Sequence, residues 1–183
     1  KRGIITKTHL SDLLRISLLA RYGGIWLDST FFCTGDLQPY FDMPVWSIKR
    51  PDYRHVSVAC GEFANYSFGC TTEYRKVFAI LREYLLDYWE HYDYMIDYLF
   101  LDYLIVLARK QNDYVNQAFN EIIPNNKNCD ELLKVLGTTF DSSEWEKLKD
   151  NTALFKLTWK AAFPRMVDGK KTYYGKMLNG ELF

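Results

Sequence analysis

Apolar positions recur at helical spacing from Leu13 to Leu19, and the run is followed by Gly23-Gly24 and then by Ile25-Trp26-Leu27. The pattern predicts one helix, one tight stop and one short strand. Ser11 is placed to cap the helix, and Asp12 suits the positive end of its dipole. Leu13, Leu14, Leu18 and Leu19 supply the expected apolar face, with small Ser17 and Ala20 allowing close packing. Glycine adopts the left-handed cap conformation without steric penalty, so Gly23 and Gly24 end the helix. The uninterrupted Ile25-Trp26-Leu27 run predicts a central strand buried on both faces, ending at Asp28.

Further along, Phe31 to Thr34 reads as a strand turned by Gly35-Asp36. Leu37 to Phe41 holds Pro39 and reads as loop. Val45 to Lys49 and His55 to Ala59 alternate as strands do, and Asn65 to Cys70 reads as loop and short strand. A long helix is expected from Thr72 to Tyr92, with Tyr74, Val77, Phe78, Leu81, Leu85 and Tyr88 on one face. Tyr94 to Ala108 reads as a buried helix. It is shorter than the roughly 20 apolar residues a membrane span needs, and it holds Asp97 and Asp102. A buried aspartate is costly unless partnered. Asp97 is therefore either tied into a structural network or aimed into a site, and Asp97 and Asp102 are both site candidates. Short helices follow at Asn116–Ile123 and Asp130–Leu136. Ser143 with Glu146 forms a capping-box pattern that opens another. Leu154 to Lys160 reads as a strand, and Asp168-Gly169 marks a turn in a polar tail.

The expected helix, turn and strand have a geometric consequence. Twelve residues from Ser11 to Tyr22 rise about 18 Å. Ile25 to Asp28 climbs back roughly 13 Å. Asp28 is thus expected near the helix end that carries Asp12 and Arg15, which share a face three residues apart. Open α/β sheets bind ligands outside the C-terminal ends of their strands.

The stretch SDLLRISLLARYGGIWLDST resembles the signature of the capsular polysaccharide synthesis glycosyltransferases. These are similar to the wider group of sugar transferases that carry SD-x-x-R, then YGG, then an aspartate motif. The resemblance implies an α/β domain of the GT-A type: a Rossmann-like mixed sheet flanked by helices. It implies a nucleotide-sugar donor, a UDP-sugar above all, and a divalent cation, Mn2+ or Mg2+. Asp12 and Arg15 would contact the donor sugar and ribose, Tyr22 would line the donor site, and Asp28 would open the aspartate motif. That motif is often DxD. Here it is Asp28-Ser29-Thr30, so Asp28 and Thr30 are the metal candidates and the cation is expected to bind weakly without donor. Ile96-Asp97-Tyr98-Leu99 with Asp102 resembles a second motif, and KLTWK resembles a C-terminal element of the family. Lys156, Trp159 and Lys160 would close over the donor diphosphate, with ammonium groups against the leaving charge. Asp28, Asp97 and Asp102 are the catalytic candidates. Glu62 is a further candidate base, and a retaining mechanism needs none.

Composition narrows the alternatives. Lys plus Arg and Asp plus Glu are 23 each, so no basic nucleic-acid footprint is present. Aromatics make up 17% of residues, enough to fill a core and still leave rings to stack on sugar or base. Cys33, Cys60, Cys70 and Cys129 lack metal-ligand spacing, which argues against zinc and for reduced thiols in a cytoplasmic protein. No signal peptide, repeat or Gly-rich phosphate loop is evident in these residues. The reading is of one transferase domain over residues 1–183. It has a strand-rich part to about 70, a mainly helical part to about 163, and a tail. The family's N-terminal nucleotide-binding segment is expected upstream of Lys1. The acceptor is expected to be a saccharide or a lipid-linked saccharide, with the enzyme in the cytoplasm or at the inner face of the membrane. The competing reading is a degenerate, non-catalytic nucleotide-sugar or carbohydrate binder.

Overall fold

The computed structural model describes residues 5–53 and 57–182. In chain order its elements are α1 (Lys7–Tyr22), β1 (Gly24–Leu27), β2 (Phe31–Cys33), α2 (Gln38–Phe41), β3 (Val45–Ser47), β4 (Ser67–Cys70), α3 (Arg75–His91), α4 (Phe100–Gln111), α5 (Asp113–Asn120), α6 (Glu131–Val135), α7 (Ser142–Lys149), β5 (Leu154–Lys156), β6 (Met166–Val167), β7 (Lys170–Lys171) and α8 (Tyr173–Leu178). The chain divides into two units. The first takes residues 1–27 and 38–124, and the second residues 28–37 and 125–183.

In the first unit, α1 begins a full turn earlier than its leucine spacing implies. Thr6 caps it, and its hydroxyl accepts the His9 amide. Ser11 and Asp12 therefore lie inside the helix and not at its start. The buried face runs through His9, Asp12, Arg15, Ile16 and Leu19. Leu14 and Leu18, expected in the core, face outward at 50% and 38% exposure. The buried face joins the core through Ile16 and Leu19, and its polar members find partners inside the fold. The helix stops at Gly23, whose φ is 69°. A Cβ there would sit 2.9 Å from the Cys70 carbonyl oxygen, so the position requires glycine on both counts.

The sheet of this unit has the order β1-β4-β3, with both pairings antiparallel. Ile25 to Leu27 do form a strand. However, it lies at an edge among the described residues, half-buried, where a central and doubly buried strand was expected. The central strand is β4, buried along its whole length. With these strands antiparallel, the ligand rule for open parallel sheets does not locate a site at the end of β1.

Helix α3 lays Val77, Phe78, Leu81, Leu85 and Trp89 into the core, joined by Leu101, Leu104 and Ile105 of α4 and Val115 and Phe119 of α5. The expected helix over 94–108 is shorter at its start. Tyr94, Ile96, Asp97 and Tyr98 are exposed and non-helical, and α4 opens only at Phe100. Asp97 explains part of this: its side chain accepts the Leu99 amide at 2.7 Å. That local bond competes with helix formation. Pro39 lies inside the short helix α2, where a loop was expected, because proline is tolerated in a first turn. Residues 55 and 56 of the expected 55–59 strand lie outside the described residues, and 57–59 form a bend and turn.

In the second unit, β2 and β5 pair antiparallel, with Phe31 opposite Lys156 and Cys33 opposite Leu154. Leu132, Leu136, Trp145, Leu148, Phe155, Tyr173 and Leu182 form its core, with Phe32 against it. The cap of α7 is Asp141, which accepts the Glu144 amide. Ser143 was expected there, and Glu146 pairs with Lys149 at 2.9 Å. Asp168 and Gly169, with φ of 47° and 73°, turn the β6–β7 hairpin. The expected polar tail is thus structured, with Tyr173 and Leu182 buried. All four cysteines are free thiols, and burial pushes the Cys70 thiol up to about 12. No helix among the described residues is long and apolar enough to cross a membrane.

Candidate functional site

Two clusters gather most of the expected residues, one in each unit. The first lies under α1. Helical spacing puts His9, Asp12 and Arg15 on one face, and they are 5%, 6% and 4% exposed. Arg15 Nη2 lies 3.4 Å from Asp12 Oδ1. Its Nη1 donates to the main-chain carbonyl of Asn65. The guanidinium stands 5.5 Å from the Trp26 ring centre, a cation–π distance. Asn65 in turn donates from Nδ2 to Asp102 Oδ1 at 2.8 Å. Asp102, buried within α4, is pushed up to about 6. Burial is the main cause, reinforced by the Asp12 and Asp97 charges and opposed by the Asn65 hydrogen bond and Arg15. A guanidinium and two carboxylates in one desolvated layer are costly to keep.

His9 and Asn65 belong to this cluster although sequence reasoning passed over both. His9 Nδ1 lies 2.7 Å from Thr6 Oγ1. Its buried Nε2 has no hydrogen-bond partner among the described residues, and its ring meets Tyr98 edge-on at 6.4 Å. Reading Thr6 as the cap would have exposed the 9-12-15 spacing. Nothing in the sequence marks Asn65, which sits at the turn entering β4.

The second cluster lies on the β2–β5 ladder. Leu157 donates its amide to the Thr30 carbonyl at 2.9 Å, extending the register beyond the strands. Lys156, opposite Phe31, reaches back across the ladder. Its Nζ is 3.5 Å from Asp28 Oδ2 and donates to Thr30 Oγ1. Both Lys156 and Asp28 keep partial access to solvent, at 21% and 29%. Just beyond, Trp159 projects at 81% exposure, with Lys160 Nζ 6.0 Å from its ring centre.

The remaining candidates lie apart from these clusters. Tyr22 is exposed at the far end of α1, with the Arg21 guanidinium 5.1 Å from its ring. Asp97 is exposed on the loop before α4. Glu62 is engaged by Lys49 at 2.9 Å. A cleft of about 330 Å³ between α4 and α5 is lined by Val106, Arg109, Lys110, Asp113 and Asn116, none of them an expected site residue.

The residues at Asp28 do not by themselves make a divalent-cation site. Hard cations favour several oxygen ligands, carboxylates above all. Here one carboxylate and one hydroxyl both meet an ammonium group. No group of three or more His, Cys, Asp or Glu suited to a metal occurs among the described residues.

Asp12 and Arg15 of SD-x-x-R thus lie buried on α1, and Asp28 of the following motif meets Lys156 of KLTWK. The chain matches the family described as capsular polysaccharide synthesis protein over residues 1–177, and it belongs to that family. No curated protein and no solved structure matches it.

Proposed function

We propose that this protein transfers a sugar from a nucleotide-sugar donor, a UDP-sugar first, to a saccharide or lipid-linked saccharide acceptor in capsule synthesis. The observation that carries this reading is the meeting of Lys156 with Asp28 and Thr30. Two stretches 128 residues apart in sequence, each resembling a family motif, are brought together by one ladder register. Departure of a nucleoside diphosphate develops negative charge, and a positioned ammonium stabilises it. Lys156 supplies that ammonium on a strand. Lys160 and the exposed Trp159 follow on a segment that can cover the diphosphate. The resemblance of SD-x-x-R to the family motif supports Asp12 and Arg15 as further donor-binding residues. Asp28 orients Lys156 and limits its reach. The GT-A type of fold is part of this proposal, as is a cytoplasmic site of action at the inner face of the membrane.

Thr30, in place of a second carboxylate, favours the competing reading of a non-catalytic binder. Donor hydrolysis separates the two. The full-length protein, incubated with a panel of UDP- and GDP-sugars, is expected to release nucleoside diphosphate slowly without acceptor. Lys156→Met is expected to lower that release at least tenfold. Binding of a donor with no release under any cation would assign the protein to the binders.

A further inference from the structure

We propose that Asp102 is a positioning residue for Arg15, acting through Asn65. The path is short and lies wholly within the first unit. Asp102 Oδ1 accepts from Asn65 Nδ2 at 2.8 Å. The main-chain carbonyl of the same Asn65 accepts from Arg15 Nη1, and Arg15 Nη2 lies 3.4 Å from Asp12. The turn that carries Asn65 is held to the sheet at Ala64. The preceding residue, Ala64, is clasped by Ser47: the Ala64 amide donates to Ser47 Oγ at 2.9 Å, and that hydroxyl lies 3.2 Å from the Ala64 carbonyl. Ser67 closes the turn by donating its amide to the Ala64 carbonyl at 2.9 Å. The turn is thereby tied to the sheet through Ala64, and the Asn65 side chain is tied to α4. A guanidinium hydrogen-bonded to the Asn65 backbone inherits a set orientation.

The cost of this arrangement points to function. A carboxylate buried in the first turn of α4 carries a desolvation cost that its place at the helix start offsets only in part. The groups facing it are Asp12 and Arg15 from α1, Asp97 from the preceding loop and Asn65 from the turn. Among these only Arg15 is cationic, and it is already engaged by Asp12. Acidic groups held in such settings cluster at functional sites. The inference rests on the proposed donor role of Arg15 for its consequence in binding, but the positioning itself does not.

The test uses the full-length protein and its Asp102→Asn and Asp102→Glu variants. Guanidinium nitrogen signals of Arg15 are followed by NMR from pH 4.5 to 8. In the wild type they are expected to move with a midpoint near 6, matching the Asp102 carboxyl carbon signal. In Asp102→Asn that step should vanish while the folded spectrum persists. Calorimetry with UDP- and GDP-sugars should then show donor affinity about fivefold lower in Asp102→Asn, the scale of losing charge from one hydrogen bond. Asp102→Glu should recover part of that loss. Arg15 signals indifferent to the Asp102 titration would overturn the positioning. Unchanged donor affinity in Asp102→Asn would overturn its functional consequence. If the wild type binds no nucleotide sugar at all, the donor reading fails, and the NMR titration still decides the positioning.

Discussion

The cluster under α1 and the cluster on the β2–β5 ladder use similar groups in opposite ways. Under α1, Asp12, Arg15 and Asp102 are each under 10% exposed and tied together through Asn65. On the ladder, Asp28 and Lys156 meet in partial contact with water. Charge interactions are strong in a desolvated layer and weak where solvent screens them. The first arrangement is rigid and costly, and it is suited to holding groups in a set orientation. The second is cheap to break, and it is suited to exchanging one partner for another. Under the proposed transfer, an ammonium that left Asp28 for an incoming diphosphate would lose little.

Four measurements would break or sharpen this contrast. The largest effect is expected from Arg15→Met, which leaves Asp12 buried without its cation and should cost about 3–5 kcal/mol in denaturant unfolding. Lys156→Met should cost under about 1 kcal/mol in the same experiment. Similar losses in the two variants would erase the distinction. Because Arg15 is 4% exposed, weakened donor binding in an Arg15→Ala variant is informative only after its folding is verified.

The next effect concerns pH. The Asp102 carboxyl is raised in the folded state from the ordinary 3.8 to about 6. The folded protein therefore holds this proton more tightly than the unfolded chain does. Its contribution to stability is present below about pH 4, is lost as pH rises to about 6, and is flat above. Each tenfold change in proton affinity is worth about 1.4 kcal/mol. Asp102→Asn should therefore stabilise the protein at pH 7.5 by on the order of 1–3 kcal/mol, and the gain should disappear by pH 4. A melting temperature that falls in Asp102→Asn at pH 7.5 would show that the carboxylate is a structural support.

At the ladder, the expected effect is on binding. Lys156→Met should weaken diphosphate-containing donors about tenfold, or roughly 1.4 kcal/mol. The loss should shrink at high salt, since an accessible charge is screened. A loss independent of ionic strength would mean that Lys156 binds donor in a dry pocket.

The smallest effect concerns the cation. Manganese titration by electron paramagnetic resonance should show little binding to the wild type without nucleotide, because Asp28 and Thr30 both face Lys156. Thr30→Asp should strengthen nucleotide-free binding several-fold by adding a hard oxygen ligand. Tight binding by the unaltered protein would show that Lys156 moves aside for metal.

Much of this molecule follows from local chemistry. Gly23 ends α1 because its φ is positive and no Cβ fits there. Asp168-Gly169 turns a hairpin, and α3 buries the face that its periodicity marks. Such features depend on neighbours a few residues away, so they are written in consecutive residues. The SD-x-x-R and Asp28 motifs were legible in the same way, as short patterns. Three matters were settled only by the fold. The inward stripe of α1 carries Ile16 and Leu19 together with Asp12 and Arg15, which reach Asn65 and through it Asp102, while Leu14 and Leu18 turn outward. Whether β1 is central or marginal was decided by β4, a strand some forty residues later that pairs on both of its sides. The approach of Lys156 to Asp28 follows from the register that sets Lys156 opposite Phe31. Periodicity states that a residue can face a core. Only the closure of long loops, with its entropic cost met by burial elsewhere, determines what it meets there.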